Sequence, residues 1–149
     1  MITPAGLITE FTGMTVGAGP SGITAGPDGN LWFTELNGDR IGRITPAGLI
    51  TEFTGMTAGA GPTGITAGPD GNLWFTERFG NKIGQITPTG LIAEFSYRLP
   101  FGAQPYGITA GPDRNLWFAT AAGFIGRITP LGLIGMVPGG ITAGQYLLT

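Results

Sequence analysis

Cysteine and histidine are both absent from this 149-residue chain. Without cysteine there is no disulfide, no thiolate metal site and no cysteine nucleophile. Without histidine there is no Ser-His-Asp triad, no histidine metal cluster and no imidazole general base. Charge is also scarce: charged residues make up 11 % of the chain, and seven Lys+Arg against nine Asp+Glu leave a net charge of −2. With no basic block to track phosphates, no nucleic-acid partner is expected. No apolar run approaches the roughly 20 residues that cross a bilayer. The opening Met1-Ile2-Thr3-Pro4-Ala5-Gly6 has neither the basic start nor the apolar stretch of a signal peptide. These absences point to a soluble, cytoplasmic protein that does not enter a membrane.

What the chain has in excess is glycine (29) and proline (12), set among 42 % hydrophobic residues. In an aperiodic chain that excess would suggest disorder. Here it is periodic. Ile-Thr-Pro starts at Ile2, Ile44, Ile86 and Ile128, each 42 residues apart, and Leu-Trp-Phe recurs at Leu31, Leu73 and Leu116. Gly-Ile-Thr-Ala-Gly recurs at Gly22, Gly64, Gly107 and Gly140, and residues 2–43 match residues 44–85 at 35 of 42 positions. The chain thus reads as one domain, 1–149, with repeats 2–43, 44–85 and 86–127 and a degraded unit 128–149. A period near 42 fits four-stranded propeller blades or two-helix repeats.

Local chemistry decides between these two. Gly or Pro interrupts every stretch of ten residues, and no window sustains the helical i, i+3, i+4, i+7 pattern. Strands are expected over Gly22–Gly26, Asn30–Glu35, Arg40–Thr45 and Leu49–Thr54. Pro27-Asp28-Gly29-Asn30 makes a tight turn, and Asn37-Gly38 signals a hairpin. Consecutive Leu31-Trp32-Phe33 asks for burial on both strand faces, as in a sheet between two other sheets. The fold class is therefore all-β, a β-propeller of four-stranded antiparallel blades. Trp32, Trp74 and Trp117 become packing residues between blades rather than ligand platforms.

Three complete blades start at Gly22, Gly64 and Gly107. The N-terminal Gly6–Thr12 matches the outermost strand of a blade, and Gly140–Thr149 matches an innermost strand followed by a degraded second one. Three architectures follow. The chain closes on itself as a four-bladed monomer, two chains share a ring as a homo-oligomer, or the chain is part of a longer propeller. The shared ring of seven or eight blades is favoured, since four blades impose tight curvature.

The blade sequence G-I-T-A-G-P-D-G-N-L-W-F-T-E, followed by I-G-R-I-T-P-x-G-L-I-T-E-F, resembles the repeat of the streptogramin B lyases, also called virginiamycin B lyases, over essentially the whole chain. That resemblance implies a seven-bladed propeller that opens a cyclic depsipeptide antibiotic at its ester by elimination, with Mg²⁺ at the site. It also implies two functional slots. One lies between Pro and Gly in P-x-G-I-T, where the family carries a tyrosine or histidines; this chain has Ser21, Thr63 and Tyr106, with Gly139 in the degraded unit. Tyr106 matches the tyrosine form, and the histidine forms are missing. The other slot is the glutamate ending W-F-x-E, matched by Glu35 and Glu77 but replaced by Thr120 in the third blade. An acidic residue that the family carries just before the first slot is replaced by Gly19, Gly61 and Gln104.

On this resemblance Glu35, Glu77 and Tyr106 are the catalytic candidates, Ser21, Thr63 and Tyr106 the binding candidates, and Glu35 and Glu77 the Mg²⁺ candidates. Elimination needs a base beside the carbonyl and an acid or metal for the developing enolate. Glu35 or Glu77 could be the base, but nothing replaces the histidine acid, and further copies of the chain cannot supply one. The expected function is a non-catalytic binding or assembly module that takes a small-molecule ligand. The alternatives are a Mg²⁺-dependent lyase of the family type and a structural repeat product with no ligand.

Other recurrent residues read as structural. Gly17–Gly22 and Gly59–Gly64 fit G-x-G-x-x-G but lead into a strand, not a helix, so they are inter-blade loops. Asp28, Asp70 and Asp113 are expected to stabilise their turns. Glu10, Glu52 and Glu94 are expected as solvated edge charges, and Arg43 and Arg127 as surface residues.

Overall fold

The computed structural model describes residues 1–138. They form twelve strands in three four-stranded antiparallel sheets. The first sheet holds β1 (Pro20–Ala25), β2 (Leu31–Glu35), β3 (Arg40–Ile44) and β4 (Ile50–Phe53). The second holds β5 (Pro62–Ala67), β6 (Leu73–Glu77), β7 (Lys82–Ile86) and β8 (Ile92–Phe95). The third holds β9 (Pro105–Ala110), β10 (Leu116–Thr120), β11 (Phe124–Ile128) and β12 (Ile134–Pro138). Each sheet is a plain meander in chain order. The leading strands β1, β5 and β9 lie side by side, β1 against β5 and β5 against β9. The three sheets are consecutive blades of a β-propeller, as the repeat requires. Gly139 and the segment Gly140–Thr149 lie outside the described residues.

Strand register shows why both faces of Leu-Trp-Phe are apolar. Trp32 lies opposite Arg43 and Thr34 opposite Ile41, while Phe33 lies opposite Gly42. Trp32 and Ile41 therefore share the face that looks to the second blade, where they join Ile65, Leu73, Phe75 and Ile86 in one cluster. The next interface repeats the scheme, with Trp74 and Ile83 against Leu116, Phe118, Ile128 and Ile134. Trp32 stacks on Phe53 at 5.4 Å and Trp74 on Phe95 at 5.6 Å. Both tryptophans are fully buried, as their packing role demands.

A threonine hydroxyl links each of the first two blades to the next. Thr34 Oγ1 accepts the Gly22 N–H (2.9 Å) and donates to the Thr63 carbonyl of the second blade (2.8 Å). Thr76 does the same between Gly64 and the Tyr106 carbonyl, each at 2.9 Å. The third blade has Ala119 in that place and loses the link.

Phe75 fills its blade by lying across Gly84, where any Cβ would run into its ring. Because Phe75 is itself fully buried, it cannot swing clear. Gly84→Ala is expected to cost about 1–3 kcal/mol by overpacking, read as a lower denaturation midpoint with an unchanged slope. No loss would mean that the ring has room to move.

The N-terminal segment behaves as the outer part of a preceding blade. Ile2 and Ile8 form an isolated antiparallel bridge. Phe11 lies over Gly48 as Phe53 lies over Gly90 and Phe95 over Gly132.

Some local expectations change. The leading strands begin at Pro20, Pro62 and Pro105, inside the loops expected before them, with a register shift in each blade. The Asn37-Gly38 hairpin forms, but its left-handed residue is Asp39 (φ 49°), not Gly38.

Candidate functional site

The P-x-G-I-T slot opens each leading strand, which places Ser21, Thr63 and Tyr106 at corresponding points of three adjacent strands. Ser21 and Tyr106 are exposed and Thr63 is half-buried. The Thr63 hydroxyl donates to the Gly61 carbonyl at 3.0 Å.

Glu35 and Glu77 lie at the ends of β2 and β6, opposite Pro20 and Pro62 of the leading strands. They are in different blades and both are fully buried. No N–H or O–H of another residue reaches any of their four carboxyl oxygens. A buried carboxylate without donors is costly, so each group favours its neutral acid. Burial first, then the charge and contact of Glu52, pushes the Glu35 carboxyl up to about 7, with Arg40 opposing. Burial, then Glu94, pushes Glu77 up to about 8, with Lys82 opposing and Asp39 adding to the rise. Each therefore answers to a carboxylate of its own blade. In the third blade Thr120 satisfies itself locally, donating to the Phe124 carbonyl at 3.0 Å and accepting the Phe124 N–H at 2.9 Å.

The partner glutamates are not solvated edge charges, which corrects the sequence reading for Glu52 and Glu94. Glu52 accepts the Thr15 N–H and hydroxyl, both at 2.7 Å. Glu94 accepts the same pair from Thr57, both at 2.8 Å, and lies 3.4 Å from Lys82 Nζ. Bonds from the Thr15 backbone and side chain hold Glu52 below the ordinary carboxylate range, against its partial burial. For Glu94 burial acts upward most strongly, yet the Thr57 bonds and Lys82 together outweigh it. Two blades thus repeat one unit: a sealed acid beside a tethered carboxylate.

Sequence reasoning missed a second tether. Asp39 accepts the N–H groups of Gly59 and Gly61, both at 2.8 Å, and so fixes the loop that enters the second blade. Asn81 does this for the third, accepting the Gln104 N–H (2.8 Å) and donating to the Pro100 carbonyl (2.9 Å). The signal was available: both are non-glycine residues in tight hairpins at positive φ, a conformation that Asn and Asp tolerate better than most.

The turn aspartates do what the sequence assigned and more. Asp28 accepts the Asn30 N–H (3.2 Å) and also the Trp32 indole N–H (3.0 Å). Asp113 accepts from Asn115 and Trp117, which hold its carboxyl down to about 2. Arg43 is not a plain surface residue, since its guanidinium lies over both Trp32 and Phe53. Arg127 similarly covers Trp117.

The donor set does not fit the Mg²⁺ implied by the resemblance. Mg²⁺ takes octahedral oxygen ligands and keeps several waters, whereas Glu35 and Glu77 are sealed in separate blades. Among the described residues no group of three or more Asp or Glu side chains is placed to hold a metal ion.

The virginiamycin B lyase family profile matches residues 1–143. The chain belongs to the virginiamycin B lyase family. A virginiamycin B lyase from Staphylococcus aureus is 47 % identical, with a TM-score of 0.89 over 95 % of this chain and 48 % of that one. A catalytically inactive variant of that enzyme, solved with quinupristin, is 46 % identical with the same TM-score and coverage. A streptogramin B lyase is 44 % identical, with a TM-score of 0.88 over 94 % of this chain and 47 % of that one. The chain therefore spans about half the length of these structures. A hydrazine synthase from Kuenenia stuttgartiensis, 20 % identical with a TM-score of 0.65 over 84 % of this chain and 36 % of that one, shares the fold alone. No curated protein sequence matches the chain. Among the described residues no helix is long and apolar enough to cross a membrane.

Proposed function

We propose that this virginiamycin B lyase-like propeller acts as a non-catalytic binding or assembly module. The placement of the two W-F-x-E glutamates carries the reading. A base for elimination must reach a proton on bound substrate, and Glu35 and Glu77 are enclosed with their oxygens facing no donor. Tyr106 is exposed on a third blade, and the chain has no histidine to act as the acid. Exposed Ser21 and Tyr106, with half-buried Thr63 at the corresponding point of the strand between them, suit contact with a small polar molecule, and corresponding positions on adjacent blades suit multivalent contact.

The test is incubation with a streptogramin B antibiotic, with and without Mg²⁺, followed by chromatography. Elimination leaves the mass unchanged, so retention time reports ring opening. No ring-opened product is expected from folded protein. Product that depends on Mg²⁺ and disappears in Glu35→Gln or Glu77→Gln would replace this reading with a lyase.

A further inference from the structure

We propose that Glu77 and Glu94 share one proton, and that this proton latches the loop of residues 55–61 that leads into Thr63. The latch makes the approach to the P-x-G-I-T slot of the second blade responsive to pH. Its first support is a substitution pattern inside the chain. Thr15, Glu35, Arg40 and Glu52 of the first repeat correspond to Thr57, Glu77, Lys82 and Glu94 of the second. In the third all four change together, to Pro100, Thr120, Phe124 and Met136. Thr15, Thr57 and Pro100 are matched by standing five positions before the prolines that open β1, β5 and β9. Four independent surface residues have no physical reason to leave as a set. Members of one polar cluster do, because removing one leaves the others without partners.

Strand register assembles the cluster. Glu77 lies opposite Lys82, and Glu94 lies opposite Gly84, two residues further along β7. Glu77, Lys82 and Glu94 therefore share one face of the second sheet, and the Glu77 O–H donates to the Glu94 carboxylate. Glu94 also accepts the Thr57 N–H and hydroxyl, each at 2.8 Å. Lys82 Nζ donates to the same Thr57 hydroxyl at 2.8 Å. The loop is a cover as well as a tethered strand of chain. A Cβ at Gly80 would stand 3.1 Å from both Glu77 Oε2 and the Ala60 Cα, and the Gly80 N–H donates to the Ala60 carbonyl at 2.9 Å. The charged groups acting on Glu77 are Glu94 of β8, Lys82 of β7 and Asp39 from the hairpin of the first blade. Residues 55–61 contain no titratable side chain.

These contacts give the proton its effect. Thr57 and Lys82 keep Glu94 charged, so the proton sits on fully buried Glu77. Opening the loop admits water, and Glu77 then ionises at its ordinary value of 4.5 instead of about 8. Between those values opening releases one proton. The ratio of closed to open loop therefore falls about tenfold per pH unit, and falls no further above about pH 8. Thr15, Glu35 and Glu52 repeat the device in the first blade, with a window that ends at about pH 7.

Hydrogen exchange at the Thr57, Gly59 and Gly61 N–H groups tests the latch. It is followed by nuclear magnetic resonance on the whole chain from pH 5 to 9 and corrected for the base-catalysed rise in intrinsic rate. Protection of these three amides should lie below that of the β6 amides, fall about tenfold per pH unit from pH 5 to 8, and then level off. Glu77→Gln should remove the slope and leave the loop protected at pH 8. Arg78→Gln, on the same hairpin but outside the cluster, should keep the slope. A flat profile in the unaltered protein would overturn the latch, as would a slope that survives in Glu77→Gln. Equal protection of loop and β6 amides at every pH would overturn it too, since exchange would then require unfolding of the whole chain. Carbon-13 titration of the glutamate carboxyls reads the proton directly: Glu94 should be charged and Glu77 neutral at pH 6, and two charged carboxyls there would remove the shared proton. The latch goes beyond the proposed function and is tested without an antibiotic, so the two succeed or fail separately.

Discussion

Glutamine in place of Glu77 is expected to stabilise the protein by several kcal/mol at pH 9 and to change little at pH 4.5. Burial, with Glu94 beside it, raises the folded-state carboxyl from 4.5 to about 8. Between those values the folded protein holds a proton that the unfolded chain has released, so stability falls as pH rises through the window. The contribution is fully present below pH 4.5 and lost above about pH 8. At about 1.4 kcal/mol per unit the window is worth on the order of 5 kcal/mol. Glutamine keeps the shape of the neutral acid and cannot ionise, which removes the slope. Glu35, raised to about 7, should give a smaller effect of the same sign. Glu52 and Glu94 have the opposite sign. Their folded values are lowered, so their contribution is present above the ordinary carboxylate value and lost as pH falls below it. Stability should therefore peak in mildly acidic solution and decline toward pH 8. Urea titrations of the unaltered protein and Glu77→Gln from pH 4 to 9 measure this. A flat profile between pH 5 and 9, or equal stability of the two proteins at pH 9, would show that the carboxyl finds a partner or water.

Features that repeat locally were legible in the sequence. The 42-residue period, the Pro-Asp-Gly-Asn turn and the consecutive Leu-Trp-Phe each specify a conformation or a burial demand within a few residues. The three complete blades, their strand order and the packing role of Trp32 and Trp74 followed from them. The same reading placed Glu35 and Glu77 as candidates but said nothing of their enclosure, because the residues near them come from elsewhere in the chain. Glu52 looked like an edge charge until Thr15, 37 positions away, was found bonded to it. Arg43 looked like a surface residue, yet it reaches the Pro88 carbonyl, 45 positions on, at 3.3 Å. The link through Thr34 joins residues 29 apart. Where sheets stack as blades a side chain can meet the following unit, and a strand's alternation reveals its face without revealing what crosses it. Asp39 shows a different limit. Asn37-Gly38 carries the stronger hairpin signal, but the positive φ falls on Asp39, whose carboxylate there bonds the loop of the next blade.

Truncating Trp74 to alanine should cost about 3–5 kcal/mol, the range for deleting a large aromatic side chain from a core that cannot collapse. Little collapse is available here. The indole is fully buried between the second and third blades, stacked on Phe95, in a cluster with Leu116 and Phe118. Those neighbours belong to strands held in register by their own ladders. Phenylalanine at the same position separates packing from hydrogen bonding. It retains most of the buried area and the stacking but loses the indole N–H that Asp70 accepts at 3.1 Å. Asp70 keeps Asn72 at 3.0 Å and Gln85 at 2.9 Å, so Trp74→Phe should cost only about 1–2 kcal/mol. The ordering matters because an exposed ligand platform would behave differently, its truncation weakening binding while barely moving the unfolding midpoint. Urea unfolding of both variants at pH 5, where Glu77 remains protonated, isolates the packing effect. A loss below about 1 kcal/mol for Trp74→Ala would overturn the assignment of this tryptophan to the interface that holds the blades together.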